Sequence, residues 1–362
     1  MERTMHSRAS QPLRILSLDG GGIRGISSLM ILQRIMEGIR DAHQLNYVPR
    51  PCDHFDLIGG TSTGGIIAIM LGRLGMTVDE CIRAYRKVAE RAFTPKAHAI
   101  IPARPDGAFS ARALEEAIKQ TVTEFCTNRE CVSRRRNSPS GTRCEHSDLP
   151  FRDHSCTKTV VFAVMKADVN AEPTLFRTYN NSNALDGCAI WEIARATSAA
   201  STFFKSIKVG RDKIEYIDAG FGYNNPCDRL IAEAKEVFPG RSDLQILSIG
   251  TGLGNAVCIK NSRMSIIEAL KKMTTSSNRV AASLDDRYGD NGQYFRFNVE
   301  RGLEDIKLSD WEQTSKISEH TRDYLRENSK GIEKFVKTFG ARGEQDGRGY
   351  DRVMNIPLVS PV

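Results

Sequence analysis

Residues 55–71 read FDLIGGTSTGGIIAIML, which is an apolar run, a glycine-rich turn and a second apolar run. The first run is the length of a buried strand and the second continues as a helix, so this pattern predicts a strand that feeds a helix. Residues 13–39 repeat the order with LRILSL, the turn DGGGIRG and an apolar pattern of helical period. Two such units in succession predict the start of a largely parallel sheet with helices on its faces.

Strand signals return further along the chain, at residues 159–167, 175–179, 213–219 and 244–250. The pattern then becomes more polar and helical, and neither a linker nor an internal repeat divides the chain. The sequence therefore predicts one α/β domain, a three-layer α/β/α sandwich with a central, mostly parallel sheet. Its predicted parts are a tail (1–12), a main region (13–254) with an inserted polar loop (127–158), a packed helical region (255–340) and a loosely ordered tail (341–362).

The composition is that of an ordinary globular protein, with 362 residues, 40% hydrophobic residues and 26% charged residues. A formal net charge of +7 suits contact with anionic surfaces but does not demand nucleic-acid binding. The longest uncharged run, residues 57–72, is shorter than the roughly 20 apolar residues of a spanning helix. No apolar signal sequence opens the chain, so we expect a cytoplasmic protein whose membrane contact, if it has any, is peripheral. The oligomeric state is not predicted.

The turn Gly60-Thr61-Ser62-Thr63-Gly64 matches the G-x-S-x-G pattern of a nucleophile elbow. Glycines on both sides leave room for a sharp turn that lifts the serine hydroxyl to the end of the sheet. The following amides and the helix N-terminus then point at developing negative charge. The pentapeptide alone is also compatible with a glycine-rich turn that carries an idle serine.

A second glycine turn, GGGIRG at residues 20–25, lies about forty residues upstream. Consecutive glycines can present unshielded N–H groups to an oxyanion. The same letters satisfy the G-x-G-x-x-G fingerprint of dinucleotide-binding proteins. That alternative expects an acidic residue at the end of the second strand, where this chain has Gly59-Gly60-Thr61.

A nucleophilic serine also needs a base, for which histidine is the usual residue. None of the seven histidines follows a convincing strand late in the chain, and His320 lies within a predicted exposed helix. Asp218, in contrast, stands directly at the end of the strand KIEYIDA, beside a turn. A half-buried carboxylate there could take the serine proton without an imidazole between them, although Asp218 alone could also be a turn or helix-cap residue.

Several motifs together resemble the patatin-like phospholipase family over residues 13–252. They are LSLDGGGIRG, GTSTGG, ATSAA followed by TFF, YIDAGFGYNNP and LSIGTG, and they agree with the family in order and spacing. The resemblance implies an acyl hydrolase acting on glycerolipid esters, including phospholipids, through a Ser/Asp dyad and an acyl-enzyme. It requires no metal or nucleotide cofactor.

Carried over position by position, the resemblance makes Ser62 the nucleophile and Asp218 the base. The other implied site residues fall into the oxyanion loop, the elbow and the base motif. They are Gly20, Gly21, Gly22, Ile23, Arg24 and Gly25; Gly60, Thr61, Thr63 and Gly64; and Ala219 and Gly220. Two rivals remain, a Ser-His-Asp hydrolase that uses His320 and a catalytically silent lipid-binding or scaffold protein.

Two positions depart from the family pattern. Ala219 follows the aspartate where the family has glycine, and Ala200-Ser201 stands before TFF where a proline is usual. If the residue after Asp218 needs a positive φ, an alanine there is strained. The departure therefore bears on the catalytic strength of the site more than on its type.

Four of the nine cysteines and two histidines crowd residues 126–156; they are Cys126, Cys131, Cys144, Cys156, His146 and His154. Their spacing lacks the paired C-x-x-C of a common zinc site, so the sequence favours free thiols and no metal. The run Arg134-Arg135-Arg136 in the same loop is interpreted as solvated charge.

A short basic amphipathic helix is predicted over residues 260–273. Its cationic and apolar residues are Arg263, Lys271 and Lys272, and Met264, Ile266, Ile267, Leu270 and Met273. Packing on the core is one interpretation, and a lid or a membrane-resting element is the other.

Overall fold

A computed structural model describes residues 11–94, 108–137, 144–179, 185–252 and 264–339. Most of the predicted N-terminal tail, the tail 341–362 and the first residues of the predicted basic helix lie outside these ranges.

The described chain contains one eight-stranded mixed sheet. In chain order its strands are β1 (Leu13–Leu18), β2 (Leu57–Thr61), β3 (Lys158–Met165), β4 (Thr174–Arg177), β5 (Ile207–Val209), β6 (Ile214–Asp218), β7 (Leu244–Ile249) and β8 (Tyr294–Phe297). The spatial order is β5-β6-β3-β2-β1-β7-β8, and β4 also pairs with β3. Strands β3, β2, β1, β7 and β8 run parallel, whereas β4 and β6 run antiparallel to β3 and β5 runs antiparallel to β6.

The helices follow the strands in the order expected for βα units. They are α1 (Gly25–Ala42), α2 (Pro51–His54), α3 (Thr63–Ala68), α4 (Val78–Ala92), α5 (Ala111–Glu124), α6 (Arg129–Asn137), α7 (Ile190–Thr197), α8 (Gly220–Tyr223), α9 (Cys227–Val237), α10 (Met264–Tyr288), α11 (Thr314–Glu327) and α12 (Ser329–Phe339). A 3₁₀ turn (Gly22–Arg24) precedes α1, and a π-helical turn (Ile69–Arg73) extends α3.

Alternating residues of the central strands pack into two separate hydrophobic clusters. Leu16 and Leu18 of β1 face the larger cluster with α1, α4 and α12. Leu13 and Ile15 of the same strand face the smaller cluster, to which α9 and α10 contribute. Both faces of β1 are therefore covered, as a parallel central strand requires. The predicted three-layer sandwich with a mostly parallel sheet is confirmed.

The segment predicted as a polar loop contains the helix α6, Arg129–Asn137. The Asn128 side chain accepts the Glu130 N–H at 3.0 Å at the start of this helix. Cys126 and Cys131 are buried. Among the described side chains of this helix, residues 129–133, only Cys131 is buried, so periodicity finds no repeat of large apolar residues there.

Residues 264–273 of the predicted helix belong to α10, which runs from Met264 to Tyr288. Across the described ranges, no helix combines the length and the apolar character needed to cross a membrane.

Candidate active site

Ser62 occupies the turn between β2 and α3 in a strained backbone conformation. Its φ is 57° and its ψ is −128°, a combination that a residue with a Cβ rarely adopts. The flanking glycines are required because the turn leaves no room for a Cβ atom at either position. A Cβ on Gly60 would lie 2.3 Å from the Gly64 carbonyl oxygen, and one on Gly64 would lie 2.4 Å from that of Leu18. The turn therefore has the tight geometry of a nucleophile elbow.

Thr197, the last residue of α7, fixes the Ser62 backbone. Its hydroxyl accepts the Ser62 N–H at 2.8 Å and donates to the Phe162 carbonyl at 2.7 Å. Both groups are buried, so the hydroxyl satisfies a donor and an acceptor that would otherwise lack partners.

The sheet register places Asp218 across β3 from Ser62. Thr61 pairs with Phe162, and the next residue of β3, Ala163, pairs with Asp218. Ser62 and Asp218 therefore flank the same residue on its two sides. With neighbouring strands about 4.8 Å apart, their backbones are separated by about 10 Å, a gap that two inclined side chains can close.

Asp218 is buried and its pKa is raised to about 6, because burial disfavours the charged form. The Ser62 side chain and the Gly220 N–H, which donates to Oδ1 at 2.8 Å, oppose this by lowering the pKa. Ala219 has φ −78° and ψ −1°. Any L-residue adopts that conformation, so the alanine that replaces the family's glycine adds no backbone strain.

The amides of the glycine loop are mostly engaged within the protein. Gly20 donates to the Asn224 carbonyl at 3.1 Å, Gly21 to the Thr63 hydroxyl at 3.0 Å and Ile23 to the Leu308 carbonyl at 2.8 Å. Within the described ranges, the Gly22 N–H has no acceptor. Gly22 lines the same cleft as Ser62.

The Arg24 and Gly25 amides close the 3₁₀ turn onto the Gly21 and Gly22 carbonyls. The Arg24 guanidinium is buried, donates to the Ile306 and Gly252 carbonyls, and has its pKa lowered to about 10 by that burial. Its side chain thus ties the loop to the C-terminal part of the chain.

A cleft opens over Ser62 and Asp218 and encloses about 630 Å³ of empty space, part of it continuous with solvent. Most of its wall is apolar. The large apolar residues that line it are Phe93, Phe203, Phe204, Phe221, Met273 and Leu308. Phe93 also packs against Phe203 and Phe204, with ring centroids 6.5 Å and 5.7 Å apart.

Histidine is absent from the residues that line this cleft in the described chain. His320 lies on α11, where its ring packs against Gly302. The structure therefore brings together Ser62, Asp218 and Gly22, and leaves His320 outside the cleft.

The sequence alone assigns no role to Thr197, Phe203 or Phe204, although they lie within the motifs ATSAA and TFF. Asn224, in the motif YNNP, is another such supporting residue. Its carbonyl accepts the Gly20 N–H, and its side-chain amide donates to the Ser277 hydroxyl at 3.0 Å. A motif marks such residues as a group, but only the contacts separate the supporting residues from the reacting ones.

Fold and site together define an α/β/α protein with an elbow serine, a neighbouring buried aspartate and an apolar cleft. The family described as patatin-like phospholipase matches residues 16–231. That match covers more than half of the chain, and the chain belongs to this family.

Several named relatives are similar over long stretches. Rat calcium-independent phospholipase A2-gamma is 28% identical over 343 residues, which cover 90% of this chain and 40% of the relative. Arabidopsis thaliana phospholipase A I is 26% identical and is aligned over 67% of this chain and 21% of its own length. Probable inactive patatin-like protein 9 from Arabidopsis thaliana is 26% identical, with 68% of this chain and 62% of the relative covered. The chain thus spans about 40% of the length of the phospholipase A2-gamma relatives.

Among solved structures, VipD from Legionella pneumophila is matched with a TM-score of 0.36 and 11% sequence identity, over 87% of this chain and 66% of VipD.

Proposed function

We propose that this protein is a serine acyl hydrolase that cleaves fatty-acyl esters of glycerolipids, as a phospholipase A or lipid acyl hydrolase does. The observation that carries the proposal is the strained Ser62 held beside the buried Asp218 carboxylate in an apolar cleft. Strain of this kind persists only where the surrounding structure imposes it, and it concentrates at functional sites.

In the proposed reaction Asp218 accepts the Ser62 proton as the hydroxyl oxygen attacks the ester carbonyl. A base with a pKa of about 6 is ionised at neutral pH and still basic enough to help remove a proton. The alcohol part of the lipid leaves with that proton, and the fatty acid stays bound to Ser62 as an acyl-enzyme. Water, activated by the same carboxylate, then releases the fatty acid.

The Gly22 N–H is the proposed main donor of the oxyanion hole, because Gly22 lines the cleft and its N–H has no acceptor among the residues that the structure describes. The N-terminus of α3, which begins at Thr63, adds partial positive charge on the other side of Ser62. The remaining amides of residues 20–25 hold the loop in shape and keep Gly22 in position.

Two features support a lipid substrate. The cleft wall is mostly apolar and aromatic, which suits an acyl chain. The named relatives include phospholipases A. Phe221 is 38% exposed beside the cleft and the net charge is +7, so a peripheral contact with an anionic bilayer is part of the proposal. The cytoplasmic location stays a prediction.

The test measures fatty-acid release from vesicles of single phospholipids and from emulsified acylglycerols, with Ser62→Ala as the blank. Ser198→Ala is the matched control. Ser198 lines the same cleft, but its hydroxyl donates to the Ala194 carbonyl at 2.7 Å and its φ is an ordinary −101°. The control variant should keep activity within a few-fold of wild type.

A fluorophosphonate probe provides a substrate-independent measurement. It should label the wild type and Ser198→Ala at one serine and leave Ser62→Ala unlabelled. A wild-type chain that the probe does not label, and that releases no fatty acid from any lipid of the panel, is a silent member of the family, and the proposal is then wrong.

A further inference from the structure

Three cysteines and one histidine converge in the segment between α5 and β3, away from the cleft. They are Cys126, Cys131, Cys144 and His146, and their ligand atoms all lie within 4.8 Å of one another. Cys131 Sγ lies 3.5 Å from Cys144 Sγ and 3.2 Å from His146 Nδ1, and Cys144 Sγ lies 3.4 Å from the same nitrogen. We propose that these four residues bind one structural zinc ion.

The three distances among Cys131, Cys144 and His146 fit one face of a zinc-centred tetrahedron, and Cys126 Sγ lies within 4.8 Å of each of these atoms. Zinc bonds of about 2.3 Å to sulfur and about 2.05 Å to nitrogen place two sulfurs about 3.8 Å apart, and a sulfur about 3.6 Å from a nitrogen. The observed separations of 3.2–3.5 Å are within a few tenths of an ångström of those edges. A disulfide, by comparison, needs about 2.05 Å between sulfurs. No disulfide joins the four described cysteines of this region, Cys156 included.

The surroundings suit thiolates. The Asn128 N–H donates to Cys126 Sγ and the His146 N–H donates to Cys144 Sγ, each at 3.4 Å. Such amide donors to sulfur offset the negative charge of a bound thiolate and orient it toward the metal. Cys126 and Cys131 are buried while Cys144 and His146 are partly exposed, so an ion could enter from the exposed side.

The set of ligands indicates the metal and its role. Three thiolates and an imidazole select a soft, tetrahedral ion, and Cys₃His is a common structural zinc set. Four protein ligands close the coordination sphere, and none of the four residues lines the active-site cleft. A catalytic role for the ion is therefore not part of the proposal.

The site would tie down an excursion whose two ends are joined by one buried side chain and whose returning residues Asp148 and Leu149 are bonded to α7. The buried Arg73 donates to the Thr127 hydroxyl at 2.9 Å on one side of the excursion and to the Pro150 carbonyl at 2.8 Å on the other. Between these contacts the chain leaves and returns without a sheet partner in its described residues. Zinc would join the end of α5, the start of α6 and the returning segment at one point.

This proposal replaces the expectation of free thiols, which rested on spacing along the chain. The intervals of four and twelve residues between the three cysteines do not form a paired C-x-x-C. Spacing along the chain identifies a metal site only when its ligands come from short local turns. Here Cys131 lies in α6 and Cys144 lies in the segment that returns after it.

The experiment uses the full chain, expressed with added zinc and purified under reducing conditions with any affinity tag removed. Elemental analysis should find about one zinc per chain, as expected for a single closed site. Cys144→Ser and His146→Ala should each reduce bound zinc about tenfold or more and lower the thermal unfolding midpoint.

Two matched controls lie in the same segment. Cys156 Sγ contacts the Asp153 and Thr157 carbonyls rather than the cluster, and His154 is not a member of it. Cys156→Ser and His154→Ala should keep wild-type zinc content. Cobalt titration of the demetallated wild type should give the intense visible bands of tetrahedral thiolate coordination, which reports the geometry even if a variant folds poorly.

Three results would overturn the proposal. The first is wild-type protein with no stoichiometric zinc and no cobalt bands. The second is a Cys131–Cys144 disulfide, found by mass spectrometry in protein that was purified under reducing conditions. The third is equal loss of zinc in Cys156→Ser and Cys144→Ser, which would locate the ion elsewhere.

Discussion

The two glycine-rich turns that follow β1 and β2 each contain a residue with the same positive φ, but the residue type differs. Gly22 in the first turn and Ser62 in the second both have a φ of 57°. Glycine adopts that angle freely, whereas for serine it is strained by about 1–3 kcal/mol. The first turn carries no strain, and its Gly22 N–H has no acceptor in the described parts of the chain. The second turn carries strain and holds a hydroxyl at the end of the sheet.

The difference separates two kinds of functional position. At Gly22 the fold needs the absence of a side chain, because a Cβ there would lie 2.2 Å from the Leu308 carbonyl oxygen. At Ser62 the fold keeps a side chain in spite of its backbone. Of the two, only the Ser62 conformation lowers the stability of the fold. The strain at Ser62 therefore supports the proposal that its side chain has a chemical role.

The largest expected effect comes from removing either member of the Ser62/Asp218 pair. Ser62→Ala and Asp218→Asn should each lower ester hydrolysis on the order of 10³-fold or more, because a nucleophile and its base act as a unit. The double variant should be no worse than either single variant. Turnover of one short-chain ester by all variants measures this.

His320→Ala is the control for that series, and it should stay within a few-fold of wild type because His320 packs against Gly302 outside the cleft. A crippled His320→Ala beside a nearly normal Asp218→Asn would move the base to histidine and end the dyad assignment.

A side chain at Gly22 in the first turn should destabilise the protein. Gly22→Ala combines a positive φ with a 2.2 Å approach to backbone, so we expect a loss on the order of 2–4 kcal/mol in the free energy of unfolding. The matched control is Gly222→Ala in α8, where a Cβ meets nothing within 4 Å. Urea unfolding of both variants measures the contrast, and equal stabilities would show that the first turn tolerates a side chain.

Asp218→Asn should stabilise the protein in a pH-dependent manner. The pKa of Asp218 is raised from 3.8 to about 6 in the folded protein, chiefly by burial. Its contribution to stability is therefore fully present below about pH 4 and is lost as the pH rises through about 6. Relative to wild type, the variant should gain on the order of 3 kcal/mol at pH 7–8 and nothing near pH 4.

Wild-type activity provides the matching measurement, since it should fall on the acid side with an apparent pKa near 6 as the base is protonated. A stability difference between the two proteins that does not change with pH would show that Asp218 is not a buried titrating group.

The smallest expected effect is a gain at the second turn. Ser62→Gly relieves the φ of 57° and should raise the free energy of unfolding by about 1 kcal/mol or less, while activity is lost. Ser198→Gly is the control, because Ser198 has a φ of −101° and loses a hydrogen bond, so it should be destabilised. A destabilised Ser62→Gly would mean that the elbow is not strained.

Much of the fold could be predicted because its central strands are buried on both faces and are read as apolar runs. Leu13–Leu18 and Leu244–Ile249 are fully buried, and each was recognised from its letters alone. The three-residue strand Ile207–Val209 was missed, because so short an edge strand has no period to detect.

The positions of Ser62 and Asp218 followed from motifs at strand ends, but their surroundings did not. The use of the Thr197 hydroxyl depends on α7 meeting β2, a contact between residues 135 positions apart. The convergence of Cys131 with Cys144 likewise depends on a helix that apolar periodicity does not reveal. Contacts of this kind arise from tertiary packing and leave no local signal.

The pairing of β6 with β3 has a consequence for how the activity can be lost. Side chains alternate between the two faces of a strand, so a one-residue slip of β6 against β3 would turn Asp218 to the opposite layer. The same slip would exchange the layers of Tyr216 and Ile217, which pack into the two different hydrophobic clusters. We therefore expect a single-residue insertion or deletion in the hairpin of residues 210–213 between β5 and β6 to displace the proposed base from the cleft while leaving the motif letters unchanged. A match to the base motif therefore predicts the proposed base only in a chain whose β5–β6 hairpin has the same length.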